Sequence, residues 1–356
     1  MVNHVSVVAP RLDAKPWGGR RLASFGMELP ETGTIGEALV TSDDVAITGG
    51  DGAGRTLGDL VRADPERRLG ERGRAAVGGR AIFPLLVKLI DAREHLSIQV
   101  HPDDAQAEAR DRLGKTEAWH VLAANAGSEL FVGLRSGVAV QALAETAKAL
   151  DGSSATLLRS IPAQTGTTVM IPAGTVHALG AGVVVYEIQQ PSDVTFRLDD
   201  WGRVDAAGRL RETHLDQGLA VTQPELRPEL IAPVRLRAAL GERHLLAACR
   251  YFTLERIALP AGAPVELGQD DSPVVLTLLS GEATIGSETL GTGQSAVIWP
   301  EPEPGLEVVA DTPLVALVSA VPDLARDVVG RARHSSASDR AIAGIGGPLN
   351  DVGRLL

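Results

Sequence analysis

The chain has 356 residues, 44% of them hydrophobic, which is long enough for two domains with real cores. Forty-five acidic against 34 basic residues leave a net charge of -11, which argues against general binding to nucleic acid or to a membrane surface. The first ten residues lack the charged start and apolar run of a secretory signal, and no later apolar run reaches membrane-spanning length. The single cysteine, Cys249, excludes an internal disulfide, so a cytoplasmic location is expected.

In chain order, alternation and β-rich composition predict strands over 5–9, 81–91, 96–101, 118–124, 130–134, 167–171, 183–189 and 194–198. Helical patterns are fewer, over 57–69, 103–113 and 138–150, all in the first two-thirds of the chain. The glycine-rich run from Gly49 to Gly54 lacks a Gly-Lys-Ser/Thr ending, so it reads as a turn and not as a phosphate loop. Gln223 to Pro228 reads as a linker. Beyond it, Leu278 to Gly286 and Gly293 to Pro300 echo the strand-Gly-strand rhythm of the first part. We therefore expect a domain over 1–224, a degenerate second copy over 225–325 and a tail over 326–356. The second copy has no histidine besides His244 and should hold no metal. The Arg-, Ala-, Ser- and Gly-rich tail is expected to bury little, as a short helix followed by mobile or packing-dependent chain.

Only four of the 34 basic residues are lysine: Lys15, Lys88, Lys115 and Lys148. In a chain so biased toward arginine, a retained lysine marks a position that needs a compact ammonium with a transferable proton. Lys88 interrupts the apolar run Phe83 to Ile90, so it lines a site or reaches water from an edge strand. Lys115 stands two residues before Glu117, on the same side of an extended segment. Lys148, in an Ala-rich helical pattern, reads as ordinary surface.

Two half-sites carry chemistry. Gly166 to His177 fits G-x5-P-x-G-x2-H: a strand, a tight Pro/Gly turn, and His177 opening the next strand. Upstream, Gln99 and His101 share one face of a strand, and Glu117 follows a helix that starts at Pro102. Two imidazoles, one carboxylate and one amide carbonyl suit a borderline dication such as zinc, one per chain, with a coordination position left open. An open position points to catalysis more than to structure.

Short strands, regular glycine turns and an inward metal describe a mainly β fold: two cupin-type antiparallel β-barrels, with a few helices inserted in the N-terminal part. The ordered segments Lys15-Pro-Trp-Gly-Gly, Ile35-Gly-Glu, Phe83 to Ala92, Leu96 to Pro102, Gly114-Lys-Thr-Glu-Ala-Trp, Ile171 to Ala178 and Glu187 to Asp193, with Arg197 and Asp200-Trp201, resemble type I phosphomannose isomerase in its shorter bacterial form. The resemblance spans about residues 10 to 222. It implies a zinc-dependent aldose-ketose isomerase that interconverts mannose 6-phosphate and fructose 6-phosphate through an enediolate, moving a proton between C2 and C1. It also implies that Gln99, His101, Glu117 and His177 hold the zinc, that Lys115 and Arg197 are catalytic, and that Lys88, Glu187 and Trp17 contact the substrate. The expected partner is a small sugar phosphate, with no nucleic acid or membrane, on a monomer or homodimer. A different metal-dependent cupin enzyme and a non-catalytic sugar-phosphate binder are the alternatives. Leu39, where relatives often carry Trp, His120, where they often carry Tyr, and the tail after Val321 depart from the family pattern.

Overall fold

The computed structural model describes residues 4–108, 111–204, 207–268, 271–300 and 305–356. Its strands form four antiparallel sheets of seven, five, eight and four strands among the described residues, each an open ladder. The seven-stranded sheet runs Leu230–Ile231, Thr168–Ile171, Glu117–Ala124, Val183–Gln189, Leu86–Ala92, Glu37–Thr41, Arg11–Asp13. The five-stranded sheet runs Phe196–Asp199, Ile98–Val100, His177–Leu179, Glu129–Leu134, Leu158–Pro162.

Because side chains alternate across a strand, each sheet has two faces, and the buried clusters show what each face covers. Leu130, Val132 and Leu179 of the five-stranded sheet meet Trp119, Val121 and Val185 of the seven-stranded one. The opposite face of the seven-stranded sheet, through Val87, Leu89 and Tyr186, meets Val275, Val297 and Leu317 of the eight-stranded sheet. That sheet turns Leu276, Leu278 and Ala296 toward Val265, Ile285 and Val308 of the four-stranded sheet. The result is four sheets in layers, with the two largest back to back. Helices Val140–Ala147 and Leu215–Val221 cover the outer face of the five-stranded sheet with Leu143 and Val221.

Local chemistry accounts for the helical boundaries. The predicted helix over 57–69 is two helices, Leu57–Ala63 and Pro65–Ala76, because Pro65 begins a new one with Asp64 capping it. Thr56 and Asp59 form a reciprocal capping box at the first. The helix predicted over 103–113 is seen as Asp104–Glu108, and residues 109–110 lie outside the described residues. Lys148 pairs with Glu145 at the surface, as expected. No helix among the described residues is long and apolar enough to cross a membrane.

Two features differ from expectation. The N-terminal strand Val5–Ala9 pairs with Ser295–Ile298 on one side and with the edge strand Ala46–Gly50 on the other, so two strands from the start of the chain complete the eight-stranded sheet. The tail buries far more than its composition implies: Val328, Val329, Ala332, Ile342, Ile345 and Val352 all join the core between the two large sheets. Fully burying an aliphatic side chain contributes about 1.5–3 kcal/mol, so a few well-placed ones outweigh a polar average. Asp351 then clamps Arg250 through its backbone N–H and two guanidinium nitrogens, and Ile345 accepts from the Ala248 N–H.

Candidate metal centre and cleft

The site begins with a change of polarity along rows that face the same interior. On Leu86–Ala92, Glu117–Ala124 and Val183–Gln189, the residues Ile90 and Ala92, Trp119 and Val121, and Val183 and Val185 fill an apolar core. Continuing those rows in steps of two gives Lys88, Glu117 and Glu187. Across from them, Leu130, Val132 and Leu179 give way to His177, Gln99, His101 and Arg197. Register makes the alignment explicit: Arg197 pairs with Gln99 and Gln99 with His177, while Glu187 lies between Lys88 and Trp119. One end of this two-sheet sandwich is apolar and the other is ionisable.

Backbone bonds tie the two half-sites together. In the turn from Pro172 to Thr175, Gly174 takes φ +87°, a conformation a side chain would strain, and its N–H donates to the His101 carbonyl at 2.8 Å. Ala173 donates its N–H to Thr116 Oγ1 at 3.3 Å, and Lys115 donates its N–H to the Pro102 carbonyl at 3.0 Å. The motif that ends in His177 is thus fastened to the segment that carries His101, Lys115 and Glu117.

At the centre, ligand atoms of His101, Glu117 and His177 lie within 4.8 Å of one another, all buried. Nε2 of His101 is 3.6 Å from Glu117 Oε2, and Nε2 of His177 is 3.3 Å from Glu117 Oε1. Both imidazoles donate through Nδ1 to backbone carbonyls, His101 to Val194 and His177 to Thr175, each at 2.8 Å. Those bonds fix the tautomer that leaves Nε2 a lone pair for a metal. Glu117 Oε1 is buried and makes no hydrogen bond, an orphan that a cation would satisfy. Gln99 lies alongside, its Nε2 3.3 Å from His177 Nε2 and its Oε1 3.3 Å from Ser97 Oγ. Ligation through its oxygen needs a half-turn of the amide. The donor set fits a dication.

Electrostatics fit as well. Burial drives His101 well below its ordinary value, and Lys115 and His177 add to the effect; burial brings His177 down to about 3. Both rings are therefore neutral ligands at pH 7. Burial pushes the Glu117 carboxyl up to about 7, against the pull of Lys115. The Lys115 ammonium donates to Glu117 Oε2 and lies 3.0 Å from His101 Nε2, so one lysine touches two of the three clustered ligands.

A cleft of about 440 Å³ opens onto this centre, lined by Lys15, Trp17, Glu37, Lys88, Lys115 and Arg197 among others. Lys88 is no edge residue reaching water. Its strand lies between two neighbours and its Nζ is 3.5 Å from Glu187 and 3.8 Å from Glu37. Burial lowers the proton affinity of Lys88, but Glu187, Glu37 and Glu117 outweigh it and hold the group above its ordinary value. Glu187 also accepts from Trp119 Nε1 at 2.9 Å. Burial raises the Glu187 carboxyl, but Lys115, Lys88 and that bond bring it below the usual range. Arg197 donates from Nη1 to the Glu212 carbonyl at 2.8 Å, while its buried Nε has no hydrogen-bond partner.

Sequence reasoning gave no role to Glu37, which pairs with both Lys15 at 3.4 Å and Lys88. Its signal was the quoted Ile35-Gly-Glu run. A Cβ on Gly36 would sit 2.6 Å from Lys15 Cβ and 2.7 Å from the Trp17 ring, so that glycine lets two motif segments touch. Leu39 lines the cleft, whereas His120 does not: it faces the core between the two large sheets and bonds Thr168 Oγ1 at 2.9 Å.

Residues 8–135 match the family model of the phosphomannose isomerase type I catalytic domain. The mannose-6-phosphate isomerase of Streptococcus mutans is 32% identical over 291 residues, 81% of this chain and 87% of that protein. A mannose-6-phosphate isomerase of Bacillus subtilis is 32% identical over 279 residues, 77% and 84% of the two chains. The crystal structure of the mannose 6-phosphate isomerase from Bacillus subtilis superposes with a TM-score of 0.75 at 26% identity, covering 88% of this chain and 99% of that one. Similarity that runs through nearly the whole of these proteins, and not through one shared motif, makes this chain a member of the type I phosphomannose isomerase family.

Proposed function

We propose that the protein is a zinc-dependent isomerase that interconverts mannose 6-phosphate and fructose 6-phosphate. The observation that carries this reading is the convergence of His101, Glu117 and His177, with Gln99 beside them, next to a cleft lined by Gln99, Lys115, Lys88 and Arg197. Zinc held by Gln99, His101, Glu117 and His177 would supply Lewis acidity that polarises a substrate oxygen.

The rest of the chemistry falls to the chain's own groups. Moving a proton between C2 and C1 requires an acid/base and a charge partner for the enediolate. Lys115 is the proton shuttle in this reading, since its ammonium reaches the centre from the cleft and is buried against Glu117. Arg197 holds the developing negative charge or the phosphate with its planar fork, and Lys88 adds a second positive charge. Glu187 orients Lys88 and meets the sugar hydroxyls, and Trp17 forms a wall of the cleft. We assign catalysis to residues 1–224 and a supporting, metal-free role to 225–325, with 326–356 closing the core. We place the enzyme in the cytoplasm, where its lone buried Cys249 stays a thiol.

A coupled assay on zinc-loaded protein tests this. Mannose 6-phosphate should turn over, chelation should abolish turnover, and zinc should restore it, while glucose 6-phosphate gives none. Binding of zinc and mannose 6-phosphate without turnover would instead establish a non-catalytic binder, and oxygen consumption by the iron-loaded protein would establish an oxygenase.

A further inference from the structure

Between the metal centre and the distant part of the chain lies a carboxylate that the chemistry above does not use. Asp104 opens the short helix Asp104–Glu108, three residues after His101. Its Oδ1 accepts from the Gly114 N–H and from Gln190 Nε2, each at 2.9 Å. Gln190 in turn accepts from the Thr116 N–H through Oε1 at 2.9 Å, and its own N–H donates to the Thr116 carbonyl at 3.1 Å. The two residues that flank Lys115 are therefore held by one carboxylate, directly on one side and through one amide on the other. Asp104 Oδ2 accepts from the Tyr251 hydroxyl at 2.6 Å, a bond that spans 147 positions of sequence. Tyr251 precedes the strand Thr253–Leu259 of the eight-stranded sheet, and its neighbour Arg250 is the residue clamped by Asp351.

We propose that Asp104 is a positioning residue for the isomerisation: it sets the aim of Lys115 at the centre, with Tyr251 bracing it from the sheet that holds no metal ligand. The Lys115 ammonium is buried where the cleft meets the centre, so small shifts of its backbone change where its proton is presented. A charge-assisted bond is about twice as strong as a neutral one, and three of them converge on this single carboxylate. Burial raises the Tyr251 phenol well above its ordinary value, and Asp104 adds to the effect, so the brace donates at every working pH. The second half of the fold thereby gains a part in the reaction without touching substrate.

This inference rests on Lys115 as the acid/base, and the test separates the two ideas. The variants are Asp104→Ala, Asp104→Asn, Tyr251→Phe and Lys115→Met, each scored as kcat per zinc-loaded chain, as KM, and by amide hydrogen exchange at Gly114 and Thr116. Misplacing a reacting group by about 1 Å costs up to roughly 100-fold in rate, so Asp104→Ala should lose about 10- to 100-fold in kcat with KM within about twofold. Exchange at Gly114 and Thr116 should quicken. Asp104→Asn keeps an acceptor and should recover most of the rate, and Tyr251→Phe should lose about threefold. If Lys115→Met is inactive yet Asp104→Ala and Tyr251→Phe keep parental kcat and exchange, Asp104 has no positioning role. If Lys115→Met turns over at the parental rate, the shuttle assignment itself is wrong. Should Asp104→Ala fail to fold, Tyr251→Phe decides alone, because it removes a single hydroxyl.

Discussion

Lys115 and a metal ion compete for the same electrons, and Lys115→Met exposes that competition. The ammonium donates to Glu117 and lies against the Nε2 lone pair of His101, so an ion bound by both ligands displaces those bonds. In the metal-free protein, removing Lys115 leaves Glu117, 0% exposed, with its nearest positive partner gone. Glu117 then protonates. Leaving one member of a buried ion pair without its partner costs about 3 kcal/mol. In the zinc-loaded protein the dication replaces that positive charge, so the variant should lose only about 1 kcal/mol, the net value of a typical hydrogen bond. The cycle closes only if zinc binds the variant about 2 kcal/mol, or roughly 30-fold, more tightly. Denaturant unfolding of both proteins in chelator and in zinc, with zinc affinity from competition against a chromophoric chelator, reads every leg. An equal stability gap with and without zinc, or unchanged zinc affinity, would refute the competition. Activity should fall by about 100- to 10,000-fold, the usual loss of a general acid/base.

Two further outcomes follow from individual side chains. Arg197→Lys keeps the charge but loses the planar fork and the bond to Glu212, so kcat/KM should fall by about 10- to 100-fold, matching the ~1.5–3 kcal/mol of a charged hydrogen bond; an unchanged kcat/KM would show that no fork contact is used. His120, buried away from the cleft, is lowered from 6.5 to about 4, chiefly by burial with Arg256 adding to it. A histidine depressed in the folded state is bound by protons preferentially when unfolded, so stability should be full above about pH 6.5 and fall as pH drops toward 4. Relative to His120→Gln, the parent should lose about 2 kcal/mol between pH 7 and 5, and parallel pH profiles of the two proteins would contradict this.

Much of the site was legible because its spacing is a consequence of local backbone geometry. The two-residue period of a strand places Gln99 and His101 on one face, and the Pro-Ala-Gly turn delivers His177 whatever the rest of the molecule does. The arginine bias singled out Lys88 and Lys115, since a lysine retained amid arginines needs a reason, and both line the cleft. Glu37 escaped notice as a cleft residue because its partners, Lys15 and Lys88, lie on different segments that only strand pairing brings together.

By itself, then, the sequence determined which side chains can ligate a cation and that the fold is built from antiparallel strands, because both depend on periods of two and on turns a few residues long. Tertiary structure alone decided the layering of four sheets, the pairing of the first strand with Ser295–Ile298, and the burial of a tail whose composition reads as polar. It alone placed Tyr251 against Asp104. Contacts that span 147 or more positions are selected by the free energy of the whole packed core, and no local pattern of residues encodes that sum.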